Sequence, residues 1–255
     1  MAFVDVGKSR LYYESHGEGQ PILFAHGVGG NHASWFNQVP TFARRYRCIV
    51  FDHRGFGNST DVEGSGRTVF VDDAVRLLDA LGIERTILVG QSMGGGTCLS
   101  LACTHPGRVQ ALALCDTLVA MQLPESIRDY MAGVETATRE LSQAERVLGP
   151  QTRTADPERT LLYLQIASFN TYRLRTLPGS MKPRTPEELA QTGIPTTFIV
   201  GSDDVLFPPK AVKTVHEHVP GSQYIEIPGA GHSAYFEQHR AFNDYLLEFL
   251  AQLGL

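Results

Sequence analysis

Short runs of apolar residues, each broken by glycine, aspartate or histidine, recur along the first half of this chain. Residues 22–25 (Ile-Leu-Phe-Ala), 48–51 (Cys-Ile-Val-Phe), 86–89 (Thr-Ile-Leu-Val) and 109–115 do not alternate with polar positions, which predicts strands buried on both faces. Between them Val71, Ala74, Val75, Leu78 and Leu81 recur at helical spacing with Gly82 as a stop, and a second helix runs from residue 92 to His105, ended by Pro106-Gly107. Strand and helix alternating in this way predict a mostly parallel sheet with helices on both faces. Residues 3–6 and 11–15, flanking Gly7-Lys8-Ser9-Arg10, predict an antiparallel hairpin at the sheet edge, and residues 35–45 a short helix. From Thr117 to about Gly193 no strand-like run occurs; Asp156-Pro157-Glu158 and Thr185-Pro186-Glu187-Glu188 are helix-start signals instead. Residues 196–200 and 224–227 resume the strands, and the closing helix places Phe242, Tyr245, Leu246, Phe249, Leu250 and Leu253 on one face. The expected organisation is an α/β core of residues 1–116 and 194–255 interrupted by a helical insertion, or lid, at 117–193.

Composition changes this picture little. A 255-residue chain, 42% hydrophobic and 19% charged, suits one soluble α/β domain with an insertion, and a net charge of −5 offers no basic footprint for nucleic acid. No apolar run approaches the roughly 18 residues of a membrane span, and the start lacks the pattern of a signal peptide, so the expected location is cytoplasmic. Cys48, Cys98, Cys103 and Cys115 all fall in apolar stretches and form no C-x-x-C pair, which reads as buried free thiols.

The chemistry-bearing residues sit where strands end. Gly90-Gln91-Ser92-Met93-Gly94 fits G-x-S-x-G, in which small residues let strand and helix approach around a sharp bend that lifts the serine hydroxyl toward substrate. The Met93 amide then opens the following helix, where unpaired N–H groups favour negative charge. After the first buried strand comes His26-Gly27-Val28-Gly29-Gly30-Asn31, whose Val28 amide is the candidate second donor to an oxyanion, with the His26 ring bracing the loop. Asp52 to Ser59 reads as a braced loop. The late strands end in Gly201-Ser202-Asp203-Asp204 and in Pro228-Gly229-Ala230-Gly231-His232-Ser233. Ser92, an aspartate near 204 and His232 thus follow one another as nucleophile, acid and base along one sheet edge. Asp116 ends another strand there. His16, His32, His53, His105, His216, His218 and His239 read as surface or loop residues.

Through His26-Gly27, Asp52-His53-Arg54-Gly55-Phe56-Gly57-Asn58-Ser59, Gly90-Gln91-Ser92-Met93-Gly94-Gly95, Gly201-Ser202-Asp203-Asp204 and Gly231-His232, the chain resembles the α/β-hydrolase family over nearly its whole length. The resemblance implies an eight-stranded, mostly parallel sheet, with Ser92, Asp204 and His232 as a catalytic triad and the amides of Val28 and Met93 as the oxyanion hole. It selects Asp204 over Asp203, with Asp116 as the other position that family members use. It implies a carboxylic-ester or lactone hydrolase acting on a small, largely apolar molecule, with no cofactor and no metal. Carbon–carbon bond hydrolases of ring-fission products, cofactor-free haloperoxidases or perhydrolases, and ligand-sensing receptors that keep the triad are similar alternatives. The oligomeric state, monomer or homodimer, is left open.

Overall fold

Eight strands join in one sheet in the order β1-β2-β4-β3-β5-β6-β7-β8 in the computed structural model, which describes residues 2–255. They are β1 (Ala2–Val6), β2 (Ser9–His16), β3 (Gln20–Ala25), β4 (Tyr46–Phe51), β5 (Thr86–Gln91), β6 (Val109–Cys115), β7 (Thr196–Gly201) and β8 (Gln223–Ile227). The hairpin β1–β2 and the β2–β4 pair are antiparallel; all pairs from β4 to β8 are parallel. The helices are α1 (Val39–Phe42), α2 (Phe70–Ala80), α3 (Met93–Thr104), α4 (Glu125–Thr138), α5 (Gln143–Val147), α6 (Pro150–Ala155), α7 (Pro157–Ser168), α8 (Pro186–Gln191), α9 (Pro209–Glu217), α10 (Ala234–Glu237) and α11 (His239–Gln252). No helix among the described residues is long and apolar enough to cross a membrane.

The all-apolar strands are explained by two cores, one on each face. Because side chains alternate along a strand, Ile22, Phe24, Cys48, Val50, Ile87, Val89, Ala111 and Ala113 meet Trp35, Phe42, Tyr235 and the α11 residues Phe242, Leu246, Phe249 and Leu250. Leu23, Ala25, Ile49, Phe51, Leu88, Leu112 and Leu114 point the other way, onto Ala74, Leu77 and Leu78 of α2, Leu99 and Ala102 of α3, and Val212 and Val215 of α9. Leu189 of α8 joins this second core. The α11 stripe is narrower than its sequence suggests, since Tyr245 and Leu253 are 37% and 36% exposed. The expected helix at 35–45 is divided: a 3-10 turn, His32–Trp35, is opened by the Asn31 cap and ends at Phe36, and α1 begins afresh with Pro40 in its first turn. A proline lacks the N–H that a continuous helix would use there.

The strand order reverses at β3, which lies between β4 and β5. At such a point neighbouring connections leave on opposite faces, and a crevice opens beyond the carboxyl ends of the strands. The turns after β3 and β5 therefore frame the same opening. Helices α4 to α7 leave from the edge after β6, and the two ends of this excursion are pinned side by side: the Gln122 N–H donates to Arg184 O (2.8 Å) and the Arg184 N–H to Ala120 O (2.7 Å). Asp156 and Thr185 cap their helices as the sequence signals predict, and Ser142 caps α5 as well.

Candidate active site

The bend between β5 and α3 holds Ser92 at φ 51° and ψ −118°, a left-handed conformation that costs a non-glycine residue on the order of 1–3 kcal/mol. Its backbone is held on both sides: the Ser92 N–H donates to Cys115 O (3.0 Å), and its carbonyl accepts from Thr117 Oγ1 (2.7 Å). The flanking glycines are steric necessities. A Cβ on Gly90 would lie 2.6 Å from the Gly94 carbonyl oxygen, and one on Gly94 would press on the carbonyls of Ala25 and His26.

Residues from three strand ends converge on this serine. His232 Nε2 lies 2.9 Å from Ser92 Oγ, and His232 Nδ1 lies 2.9 Å from Asp204 Oδ2. The other oxygen of Asp204 accepts the amides of Leu206 (2.8 Å) and Phe207 (3.0 Å), so the carboxylate cannot rotate away from the ring. With Asp204 accepting at Nδ1, that nitrogen carries the imidazole proton and Nε2 faces the serine hydroxyl as acceptor. Burial opposes protonation of His232, yet the neighbouring Asp204 carboxylate outweighs it and raises the imidazole above its ordinary value. Asp116 occupies the adjacent strand end without touching the ring: its oxygens accept the amides of Gly201 (2.8 Å) and Ala234 (3.1 Å). Burial, and then the charge of Asp204, push its carboxyl well above the usual range. Asp203 braces the loop, its N–H donating to Ala230 O (2.8 Å).

The turn after β3 and the start of α3 carry the two candidate oxyanion donors. The amides of Val28 and Met93 find no acceptor among the described residues, and both residues line the space around Ser92. His26 holds the loop in shape, with Nδ1 2.8 Å from Gly27 O and Nε2 accepting the His53 N–H at 3.0 Å. That pairing fixes His26 as a neutral ring protonated at Nδ1, and burial pulls its pKa down to about 4. His53, read from the sequence as a surface or loop residue, is 1% exposed and packs edge-on against His26, with its Nε2 3.2 Å from Thr97 Oγ1. The loop that carries it folds inward because Asp52 accepts the amides of His32 (2.6 Å) and Asn58 (2.8 Å) while Arg54 pairs with Asp73.

A sequence profile described as the alpha/beta hydrolase fold matches residues 20–238. The chain belongs to the α/β-hydrolase family. It is 31% identical to a Mycobacterium tuberculosis protein named as a non-heme bromoperoxidase, over 95% of this chain and 98% of that one. Among solved structures, a thermophilic esterase from Thermogutta terrifontis superposes with a TM-score of 0.82 at 27% identity, covering 96% of this chain and 94% of the esterase. A protein described as an N-acyl homoserine lactone degrading enzyme superposes with a TM-score of 0.80 at 25% identity, covering 97% of this chain and all of that one.

In this α/β hydrolase two cavities, of about 830 and 550 Å³, meet at Ser92 and Val28 beneath α4 and α5. Leu123 and Met131 line the larger and Tyr163 the smaller. Met121 instead belongs to the core, Phe169 is 72% exposed, Tyr172 donates to Asp61 Oδ2 (3.1 Å), and Met181 packs beside Phe56, Phe70 and Met93. Two residues that hold the site had no sequence signal of their own. Gln91 Nε2 donates to His232 O (2.7 Å), fixing the backbone that bears the imidazole. The buried Glu237 accepts the amides of Gly231 (2.8 Å) and Gly149 (2.7 Å), joining the His232 loop to the start of α6.

Proposed function

We propose that this α/β hydrolase is a serine hydrolase that cleaves a carboxylic ester or lactone of a small, largely apolar substrate through an acyl-enzyme. The observation that carries the reading is the unbroken chain of contacts from Ser92 Oγ through the His232 ring to Asp204, 2.9 Å at each step. A serine hydroxyl is a weak nucleophile until a base within reach takes its proton. His232 Nε2 is that base. As Ser92 Oγ bonds to the substrate carbonyl carbon, its proton passes to Nε2, and Asp204 stabilises the imidazolium. The carbonyl oxygen becomes an oxyanion, which accepts hydrogen bonds from the unpartnered amides of Val28 and Met93. Collapse of the tetrahedral species breaks the bond to the alcohol oxygen, which takes the proton from Nε2. Water then repeats the sequence on the acyl-serine and releases the acid. The helices α4 to α7 act as a lid that shapes the two cavities. The esterase and lactone-degrading structural neighbours support this substrate class.

The test is turnover of short-chain p-nitrophenyl esters and of a lactone panel, with Ser92→Ala alongside. Steady turnover by the native chain that the variant loses supports the proposal; turnover that survives in Ser92→Ala refutes it. The bromoperoxidase name of the Mycobacterium relative favours a second reading, in which hydrogen peroxide replaces water at the acyl-serine and releases a peracid. Peroxide-dependent bromination that requires both a carboxylic acid and Ser92 would establish it.

A further inference from the structure

The charge around the two cavities runs against the charge of the chain. The sequence has 27 acidic and 22 basic side chains, yet Arg67, Arg128, Arg139, Arg146, Arg173 and Arg175 line these cavities against only Glu135 and Glu140, with neither lysine nor aspartate. None of the six lies within 4 Å of a carboxylate among the described residues; the arginine ion pairs are those of Arg54, Arg108 and Arg159. Four of the six are exposed, where water suffices as partner. Arg67 and Arg146 are half-buried. Arg67 approaches from the core side, with its Nε buried and unpartnered and one Nη donating only to Leu177 O (3.3 Å). Arg146 approaches from α5 in the lid and lines both cavities beside Ser92.

A guanidinium drawn out of water without a counter-charge is unfavourable unless an anion completes it. The scissile ester or lactone cannot be that anion, because its carbonyl is neutral until attack. We infer that the substrate carries a carboxylate at the end remote from the scissile bond, which Arg146 and Arg67 bind while the apolar stem lies along Leu123, Met131 and Leu174. This rests on the hydrolase reading and narrows it from apolar esters to monoesters or lactones of acids with a second carboxyl group. Arginine is suited to the task, since its planar fork meets a carboxylate through two parallel hydrogen bonds.

The experiment separates binding from reaction. Ser92→Ala protein is titrated by calorimetry with monomethyl esters of the five- to eight-carbon dicarboxylic acids, and with methyl esters of the monocarboxylic acids of matching length. The inference expects at least one anionic ester to bind tenfold or more tighter than its neutral match, with the difference shrinking in high salt. It also expects Arg67→Met/Arg146→Met, in the same background, to abolish the difference, while the exposed Arg44→Met, which lines neither cavity, preserves it. Equal binding of each pair, absence of binding by every anionic ester, or a preference that survives the double variant overturns the inference. Parallel turnover of the corresponding p-nitrophenyl esters by the native chain keeps the two claims apart. Hydrolysis without anion preference leaves the reaction standing and removes the carboxylate pocket; anion preference without hydrolysis does the reverse.

Discussion

Acidification should unfold this protein partly through His26, although that ring touches no substrate in the proposed reaction. Its Nε2 lone pair is occupied by the His53 amide and its Nδ1–H by Gly27 O, so no site is left for a second proton without breaking a buried hydrogen bond. Burial holds its pKa near 4 in the fold against an ordinary 6.5. For a group whose folded value is depressed, the unfolded chain binds the extra proton first, so the stabilisation is complete above 6.5 and is lost as pH falls toward 4. Between pH 7 and pH 5 the linkage relation gives about 2 kcal/mol lost through this one residue. Burial also lowers His53 well below its ordinary value, so that ring titrates in the same sense, whereas Asp116, Glu237 and Asp73 titrate in the opposite sense, having raised values in the fold. A difference measurement isolates His26: urea unfolding of the native chain and of His26→Gln at pH 7 and pH 5. The glutamine variant starts less stable, and its stability should fall by about 2 kcal/mol less over that interval. Parallel curves, differing in slope by under about 0.5 kcal/mol, would refute the neutral-tautomer argument.

Three further outcomes follow from the same geometry. Asp204→Asn presents an amide where His232 needs an acceptor and should lower kcat by about 10³- to 10⁴-fold, whereas Asp116→Asn should cost mainly stability, read as a lower melting temperature; a mild Asp204 effect beside a severe Asp116 loss would move the acid to residue 116. The kcat/KM profile should rise with pH as His232 loses its proton, with an inflection above 6.5 because Asp204 raises the imidazole; an inflection below 6.5 contradicts that pairing. Glu237→Gln must turn its amide nitrogen toward the N–H of Gly149 or of Gly231, and should cost on the order of 1–3 kcal/mol of stability and several-fold in kcat, while an unchanged kcat would confine the residue to packing.

The sheet was legible because parallel strands covered on both faces leave few polar positions, and the meeting of Ser92, His232 and Asp204 because each stands where an apolar run stops. Ser92 was legible twice over, by its glycines and by its place after β5. His53 is the loop residue its setting suggests, but its burial was not legible because burial of a loop depends on partners distant in sequence: Asp52 draws in His32 and Asn58, and the His26 ring supplies the acceptor that makes a buried imidazole tolerable. Glu237 was invisible for a related reason, since a glutamate near the start of a terminal helix looks like any solvated residue until the amides of Gly149 and Gly231 are brought to it. Residues 35–45 carried an apolar pattern compatible with one helix, and Pro40 was the overlooked signal that divides it. Packing of the segment between β6 and β7 was least legible of all: Leu123 and Met131 face the cavity while Phe169, equally apolar, faces solvent.

The central claim is that Ser92 is the nucleophile made reactive by His232 and Asp204. Incubation with a fluorophosphonate followed by intact-mass analysis and peptide mapping tests it most directly. The account predicts one adduct per chain, on the peptide containing Ser92, with labelling slowed severely in His232→Ala. An adduct on another residue, or labelling at Ser92 that is indifferent to His232, would contradict it.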